Sequence, residues 1–291
     1  MLKVLFIILI SANTYAQTTI NGVWAFNIAN TQGTYFRHIL ENANNIQQKY
    51  NFTVENRPGA GGAIAAQSVH NRNNISILGT AAAFFIRPYL YSTNTYTFEQ
   101  FKVAHVMTIS SAALVTKNKD LNAIMSQHTI SIGTSGAGSL THLMALKFKE
   151  YYPTKNIIIV NYKSSTESLQ DIIGSHIDLT FEFLGDAEAK GVKIIGTTGT
   201  IKIKNYPLLK DIGYPNQSNL VGIYLMLVKK DTPDNIITDI RNILINAEKS
   251  QKVQELYALD YSYQPSIKDY SIWYTDTIKQ WETITKGMTV E

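Results

Sequence analysis

Thr129-Ile130-Ser131-Ile132, running into Gly133-Thr134-Ser135-Gly136-Ala137-Gly138-Ser139-Leu140-Thr141-His142, is the stretch that decides the fold. The first four residues read as a strand, the glycines as a tight turn, and Ser139 as the cap of a helix whose first turn is residues 139–142. A strand that turns directly into a helix is the repeating unit of an α/β protein with stacked β-α units. The same rhythm extends in both directions. Residues 20–26, 52–55, 75–78, 157–162, 177–183, 192–196 and 221–228 are apolar runs of strand length. Residues 34–50 place Tyr35, Ile39, Ala43 and Ile46 at helical spacing, helices are expected after the early strands, and residues 233–258 and 267–285 read as two closing helices. Arg87 precedes Pro88 and is expected to be extended.

The 291 residues suffice for two medium-sized lobes. No Pro/Ser-rich linker divides them, so two lobes would be joined by strands that cross between them around a central cleft. The apolar runs at 103–115 and 221–228 are the expected crossings. One lobe then comprises residues 17–107 plus 224–291 and the other 108–223, a single unbroken sheet being the alternative.

Composition excludes several classes. Hydrophobic residues make up 45% and charged residues only 16%, against about 25% charge in soluble domains, so the chain is a compact folder. The net charge of +4 comes from 26 basic and 22 acidic side chains without a basic stripe, which argues against nucleic acid. Cysteine is absent, and with it disulfides, thiolate metal sites and thiol nucleophiles. Lys3, the apolar run 4–12 and the small-x-small step Thr14-Tyr15-Ala16 read as a secretory signal peptide over residues 1–16. That run is far short of the roughly 20 residues that span a bilayer. The mature protein is therefore expected to be soluble and exported.

Ligands of open α/β sheets bind beyond the carboxyl ends of the strands. In the turn at 133–139 the glycines allow close backbone approach and the helix start favours negative charge, so a carboxylate or phosphate is the expected guest at Ser135, Gly136, Gly138 and Ser139. The other reading makes Ser135 a hydrolase nucleophile on a strand-turn-helix elbow. Ala137 then replaces the second elbow glycine, and of the six histidines (His38, His70, His105, His128, His142, His176) only His176, five residues after Asp171, follows in a suitable place. The glycines at 59–62 lack the Gly-Lys-Ser/Thr of a phosphate loop. No two histidines fall at metal-binding helical spacing, and no metal or cofactor is expected.

Val54-Glu55-Asn56-Arg57-Pro58-Gly59-Ala60-Gly61-Gly62-Ala63-Ile64-Ala65-Ala66 resembles the V-E-N-R-P-G-A-G-G-x-I-G-A signature of the Bug family, the extracytoplasmic solute-binding proteins of tripartite tricarboxylate transporters. Leu78-Gly79-Thr80, Pro88-Tyr89-Leu90-Tyr91, Ser135-Gly136-x-Gly138-Ser139-x-x-His142-Leu143, Tyr162-Lys163, residues 169–178 and Phe181-Glu182 agree with it in order and spacing. The resemblance covers the mature chain. It implies a two-lobed type II periplasmic binding fold, each lobe a mostly parallel sheet flanked by helices and joined by crossing strands. It also implies a monomer that closes on a small organic carboxylate or amino acid and delivers it to membrane transporter subunits without catalysis. The family's carboxylate anchors map to residues 27–34 with Thr34, to Thr80, Ala81 and Ala82, and to residues 135–139.

Departures from the family pattern shape the rest. The loop after the first strand keeps one glycine, Gly33, so Gln32 and Tyr35 either contact the ligand or fill its pocket. A receptor with so eroded a loop is the basis of a further alternative, a degenerate receptor acting as a sensor. Glu182 stands where the family has Asp, facing the cleft, where it meets a ligand amino group or lies as a solvated rim carboxylate. Lys163 pairs with a distal carboxylate or lies along the surface. Tyr162 lines the cleft, Phe26, Phe84 and Phe85 supply apolar walls or core, and His142 orients the Ser135 loop.

Overall fold

The computed structural model describes residues 17–214 and 219–288, so the leader read at 1–16 lies outside the described residues. The chain begins with β1 (Thr18–Trp24), α1 (Thr31–Ile46), β2 (Tyr50–Asn56), α2 (Ala63–His70), β3 (Ser76–Ala81) and α3 (Ala83–Leu90). A long strand, β4 (Phe101–Thr116), leads into α4 (Leu121–Met125), β5 (Thr129–Thr134), α5 (Leu140–Tyr151), β6 (Asn156–Asn161), α6 (Ser165–Gly174), β7 (Leu179–Phe183), α7 (Leu184–Ala189) and β8 (Lys193–Thr197). The chain returns through β9 (Val221–Lys229) and closes with α8 (Asp234–Glu248), α9 (Gln251–Leu259) and α10 (Tyr270–Thr285).

The strands are hydrogen-bonded in the order β2-β1-β3-β9-β4-β7-β5-β6, with β8 also on β4. Two trios, β2-β1-β3 and β6-β5-β7, are internally parallel, and β9 and β4 join them antiparallel. The sheet is therefore mixed, parallel in the trios and antiparallel where the chain crosses. Strand β4 pairs with β9 over Phe101 to Ser111 and with β7 and β8 from Ala112 onward, so a single strand belongs to both halves. It is buried at nearly every position, as a strand covered on both faces must be.

Helix α1 starts at Asn30, whose side chain accepts from the Gly33 N–H at 2.6 Å, and it buries Tyr35, Phe36, Ile39, Leu40 and Ala43 along one face. That face lies on β1 and β3. A Cβ at Gly79 would sit 2.5 Å from the Phe36 ring and 2.7 Å from Trp24, so glycine in the Leu78-Gly79-Thr80 element is required by ring packing. A second cluster gathers Phe84, Phe85, Tyr96, Phe98 and Phe101, with Phe84 stacked on Tyr96 at 4.8 Å.

Phe84 and Phe85 take the core alternative and wall no cleft. Two expectations change. The closing segment 233–258 is two helices, broken at Lys249 and Ser250, so that α9 turns back on α1 and Tyr257 meets Tyr35 edge-to-face at 5.0 Å. Arg87 is helical despite preceding Pro88. Proline there removes the bond to the Phe84 carbonyl, and Tyr96 Oη donates to that carbonyl instead, at 2.9 Å, so the helix continues without an orphaned acceptor.

Candidate functional site

The loops at the carboxyl ends of β1, β3, β5 and β7 carry most of the residues singled out from the sequence. The loop after β1 is held by Asn56 at the end of β2: its amide donates to the carbonyls of Trp24 and Phe26, and its oxygen accepts from the Ile28 N–H at 3.3 Å. Arg57 and Arg72 both pair with Glu55, so the charges of that motif serve one another. The following turn is unusual. Gly59, Ala60, Gly61 and Gly62 have φ of 127°, 47°, 57° and 94° in succession, and three glycines accept this where side chains would resist. The bend lays Gly62 beside Phe26 and Thr80: a Cβ there would be 3.5 Å from Phe26 Cζ and 3.6 Å from Thr80 Oγ1. Phe26 is half-buried against Trp24, Thr80 is buried, and Ala81 is half-buried at the end of β3.

Residues 31–33, read from the sequence as loop, belong to the first turn of α1, and the roles there differ from expectation. Gly33 packs against the backbone of Ile28, 2.6 Å from where its Cβ would be, and so serves packing rather than ligand approach. Thr34 donates its hydroxyl to the Asn30 carbonyl at 3.0 Å. Gln32 and Tyr35 are buried, and Tyr35 Oη donates to the Leu256 carbonyl at 3.1 Å, so Tyr35 fills space. The residue that reaches out is Thr31, whose hydroxyl donates to Asp186 Oδ1 at 3.2 Å, joining the first turn of α1 to α7.

The turn after β5 is stitched to itself. Ser135 N–H donates to Thr141 Oγ1 at 2.8 Å, Gly136 N–H to Thr134 Oγ1 at 3.3 Å, Gly138 N–H to His142 Nδ1 at 3.1 Å and Ser139 N–H to the Gly136 carbonyl at 3.1 Å. The expectation that these four amides stand unpaired for an anion is thus corrected. Thr141 and His142, inside the helix they introduce, take two of those donors, and Thr134 and the Gly136 carbonyl take the other two. His142 orients the loop as an acceptor, and burial lowers its pKa, consistent with a neutral ring. The hydroxyls of Ser135 and Ser139 lie 2.9 and 3.0 Å from Thr141 Oγ1, and Ser139 Oγ also caps the His142 N–H. Ser135 has no histidine partner. His176 pairs with Asp171 at 3.2 Å where α6 ends.

Tyr162 Oη donates to Asp171 Oδ2 at 2.5 Å, and burial with that carboxylate pushes its pKa up to about 12. Its hydroxyl is thereby committed to α6. The Lys163 side chain is exposed. Glu182 is fully buried, which corrects the picture of a solvated rim group. Its Oε1 accepts from Phe183 N–H at 2.8 Å, while Oε2 has no partner. Burial, then the charges of Asp186 and Asp260, raises its pKa well above the usual carboxylate range. Asp186 is raised by burial, and Asp260 is pushed up to about 8 by burial and then by Asp186. Residues from β7, α7 and the end of α9 thus form an acidic floor, beside which Gln32 Nε2 and Tyr224 Oη are buried without partners. Asp186 lies four residues beyond Glu182 and was within reach of sequence reasoning. Asp260 and Thr31 arrive from 70 and more residues away, with no local signal.

Among the described residues no three His, Cys, Asp or Glu side chains are grouped as a metal site requires. A groove of about 910 Å³ lies at the other end of β4, between its first residues, α8 and α10. There the Arg241 guanidinium donates to the carbonyls of Val103 and Ala104 and stacks on Tyr270, 4.0 Å from the ring centroid.

A family model described as the tripartite tricarboxylate transporter family receptor, TctC, matches residues 35–290. Among solved structures, the chain is similar to MatC from Rhodopseudomonas palustris with bound malate, with a TM-score of 0.80 and 16% identity over 94% of this chain and 100% of that one. It is similar to R. palustris Rpa4515 with adipate, at 0.79 and 20% over 94% and 98%. The periplasmic binding protein BugD gives 0.79 and 18% over 95% and 100%. No curated protein matches the sequence. At these identities the likeness carries the fold, a two-lobed periplasmic binding architecture.

Proposed function

Because the chain belongs to the receptor family of tripartite tricarboxylate transporters, we propose that it is a periplasmic solute-binding protein that captures a small organic carboxylate or amino acid between two lobes, without chemistry, and hands it to the membrane subunits of such a transporter. The lobes are 17–107 with 224–291, and 108–223, and the receptor acts as a monomer. Among the described residues no helix is long and apolar enough to cross a membrane.

The observation that carries the reading is that the loops after β1, β3, β5 and β7 converge around the crossing strands, with Thr31 bonded to Asp186 from the opposite half. Closure of two halves on a ligand is a population shift that such contacts complete. Malate and adipate, bound by the two R. palustris proteins, set the class of ligand to try first. A hydrolase would need a base at Ser135, whose hydroxyl instead meets Thr141.

The test is a thermal-shift and calorimetric screen of the purified protein against malate, adipate, aspartate and glutamate. A ligand at a hundred times its Kd stabilises by about 2.7 kcal/mol. Stabilisation by none of these acids, or turnover of an ester, refutes the reading.

A further inference from the structure

Arg87 is 8% exposed, and no carboxylate among the described residues lies within salt-bridge distance of it. Its Nε has no hydrogen-bond partner. A buried guanidinium without an acidic neighbour is costly, and the cost is relieved by an anion in reach of its planar donors. Its surroundings say where that anion comes from. The position of a Cβ on Gly61 is 3.7 Å from both Arg87 Cδ and Nη1, so the side chain runs under the left-handed turn that also brings Gly62 to Phe26 and Thr80. The guanidinium carbon lies 4.7 Å from the centroid of the Tyr91 ring. Tyr91 in turn reaches the second half of the molecule: a Cβ on Gly138 would be 3.0 Å from Tyr91 Cε2 and 3.7 Å from Tyr91 Oη, itself buried without a partner. Arg87 and Tyr91 therefore stand between the two glycine turns, one from each half, at the site where four amides after β5, those of Ser135, Gly136, Gly138 and Ser139, are already spent on Thr141, Thr134, His142 and Gly136.

We propose that Arg87, with Tyr91 beside it, is the charged group that receives a carboxylate of the ligand between the turns at 59–62 and 136–139. The proposal rests on the solute-receptor reading and names the side chain that selects an anionic guest. Phenolic and guanidinium donors take the place of the backbone amides that the fold has committed elsewhere.

Adipate and malate are titrated calorimetrically into the wild type, Arg87→Lys and Arg87→Gln, with the melting temperature of each free protein measured alongside. Loss of a charge-assisted pair predicts that Arg87→Gln weakens the tighter acid by about thirtyfold or more, and Arg87→Lys, which keeps the charge, by about fivefold. Equal weakening in both variants assigns Arg87 a packing role and overturns the proposal, as does binding by Arg87→Gln within about threefold of wild type. A second measurement needs no substitution. Phenylglyoxal labelling of the wild type, read by peptide mass spectrometry, is slowed at Arg87 by adipate but unchanged at exposed Arg57. Equal labelling of Arg87 with and without the acid overturns the proposal. A wild type that binds none of the acids overturns the receptor reading itself, a result distinct from the behaviour of the variants.

Discussion

Replacing Asp260 by Asn changes how the protein's stability depends on pH, by an amount that follows from its burial. Asp260 is 2% exposed, both carboxyl oxygens lack hydrogen-bond partners, and burial with Asp186 nearby pushes its pKa from 3.8 up to about 8. The fold therefore accepts the protonated acid and resists the carboxylate. With the folded value above the unfolded one, the native state holds the proton more tightly, so this group's contribution is fully present below about pH 4 and is lost as pH rises to about 8. Each unit of pKa difference corresponds to about 1.4 kcal/mol, so some four units amount to a ceiling of about 5 to 6 kcal/mol across that window. Asn cannot ionise. Asp260→Asn should match the wild type near pH 4 and exceed it progressively above, and at about 2 °C per kcal/mol the gap in melting temperature approaches about 10 °C at pH 8. Glu182, also raised, leaves a residual slope of the same sign in both proteins. Differential scanning calorimetry at half-unit steps from pH 4 to 9 measures this. Parallel curves for the two proteins between pH 5 and 8 would refute a protonated Asp260.

Other substitutions probe the site and its supports. Ser139→Asp keeps a good helix cap but adds a negative charge at the start of α5, so malate or adipate affinity should fall by about tenfold or more with little change in melting temperature; calorimetry that finds affinity unchanged moves the anion away from that turn. Gly79→Ala places a methyl 2.5 Å from Phe36 and should cost about 2 kcal/mol by overpacking, read as a lower urea midpoint. Asn56→Ala removes the bonds to Trp24, Phe26 and Ile28, and should cost about 1 to 3 kcal/mol and weaken ligand binding, since the loop after β1 loses its tie to β2; full affinity in that variant would show the loop is held by other means.

The alternation of apolar runs and glycine-marked turns made the strands and their order along the chain readable, because burial on both faces leaves a hydrophobic signature that needs no tertiary context. Glycine positions were readable as places of close approach, yet what approaches was not. Gly33 meets Ile28, Gly79 meets Phe36, and only Gly61 and Gly138 face the Arg87 and Tyr91 pair. The donors of Ser135 and Gly138 looked free because their acceptors, Thr141 and His142, sit in the following helix in rotamers that sequence does not specify, and those of Gly136 and Ser139 because the turn folds them onto Thr134 and the Gly136 carbonyl. Arg87 was misread because the preference against helix before proline is a local one, and Tyr96 satisfies the carbonyl that Pro88 frees. The acidic floor was half-visible: Glu182 stood out, but its neighbours Asp186 and Asp260 matter only once α7 and the end of α9 are folded together.

Strand β4 has a consequence for how the molecule comes apart. Because the same backbone segment supplies ladder bonds to β9 on one side of Ser111 and to β7 and β8 beyond it, neither half can melt without stripping the edge from the other. With one hydrophobic cluster also running through both halves, they form one cooperative unit, and a fragment cut on either side of that strand would leave a raw, unpaired sheet margin prone to sticking to its own copies.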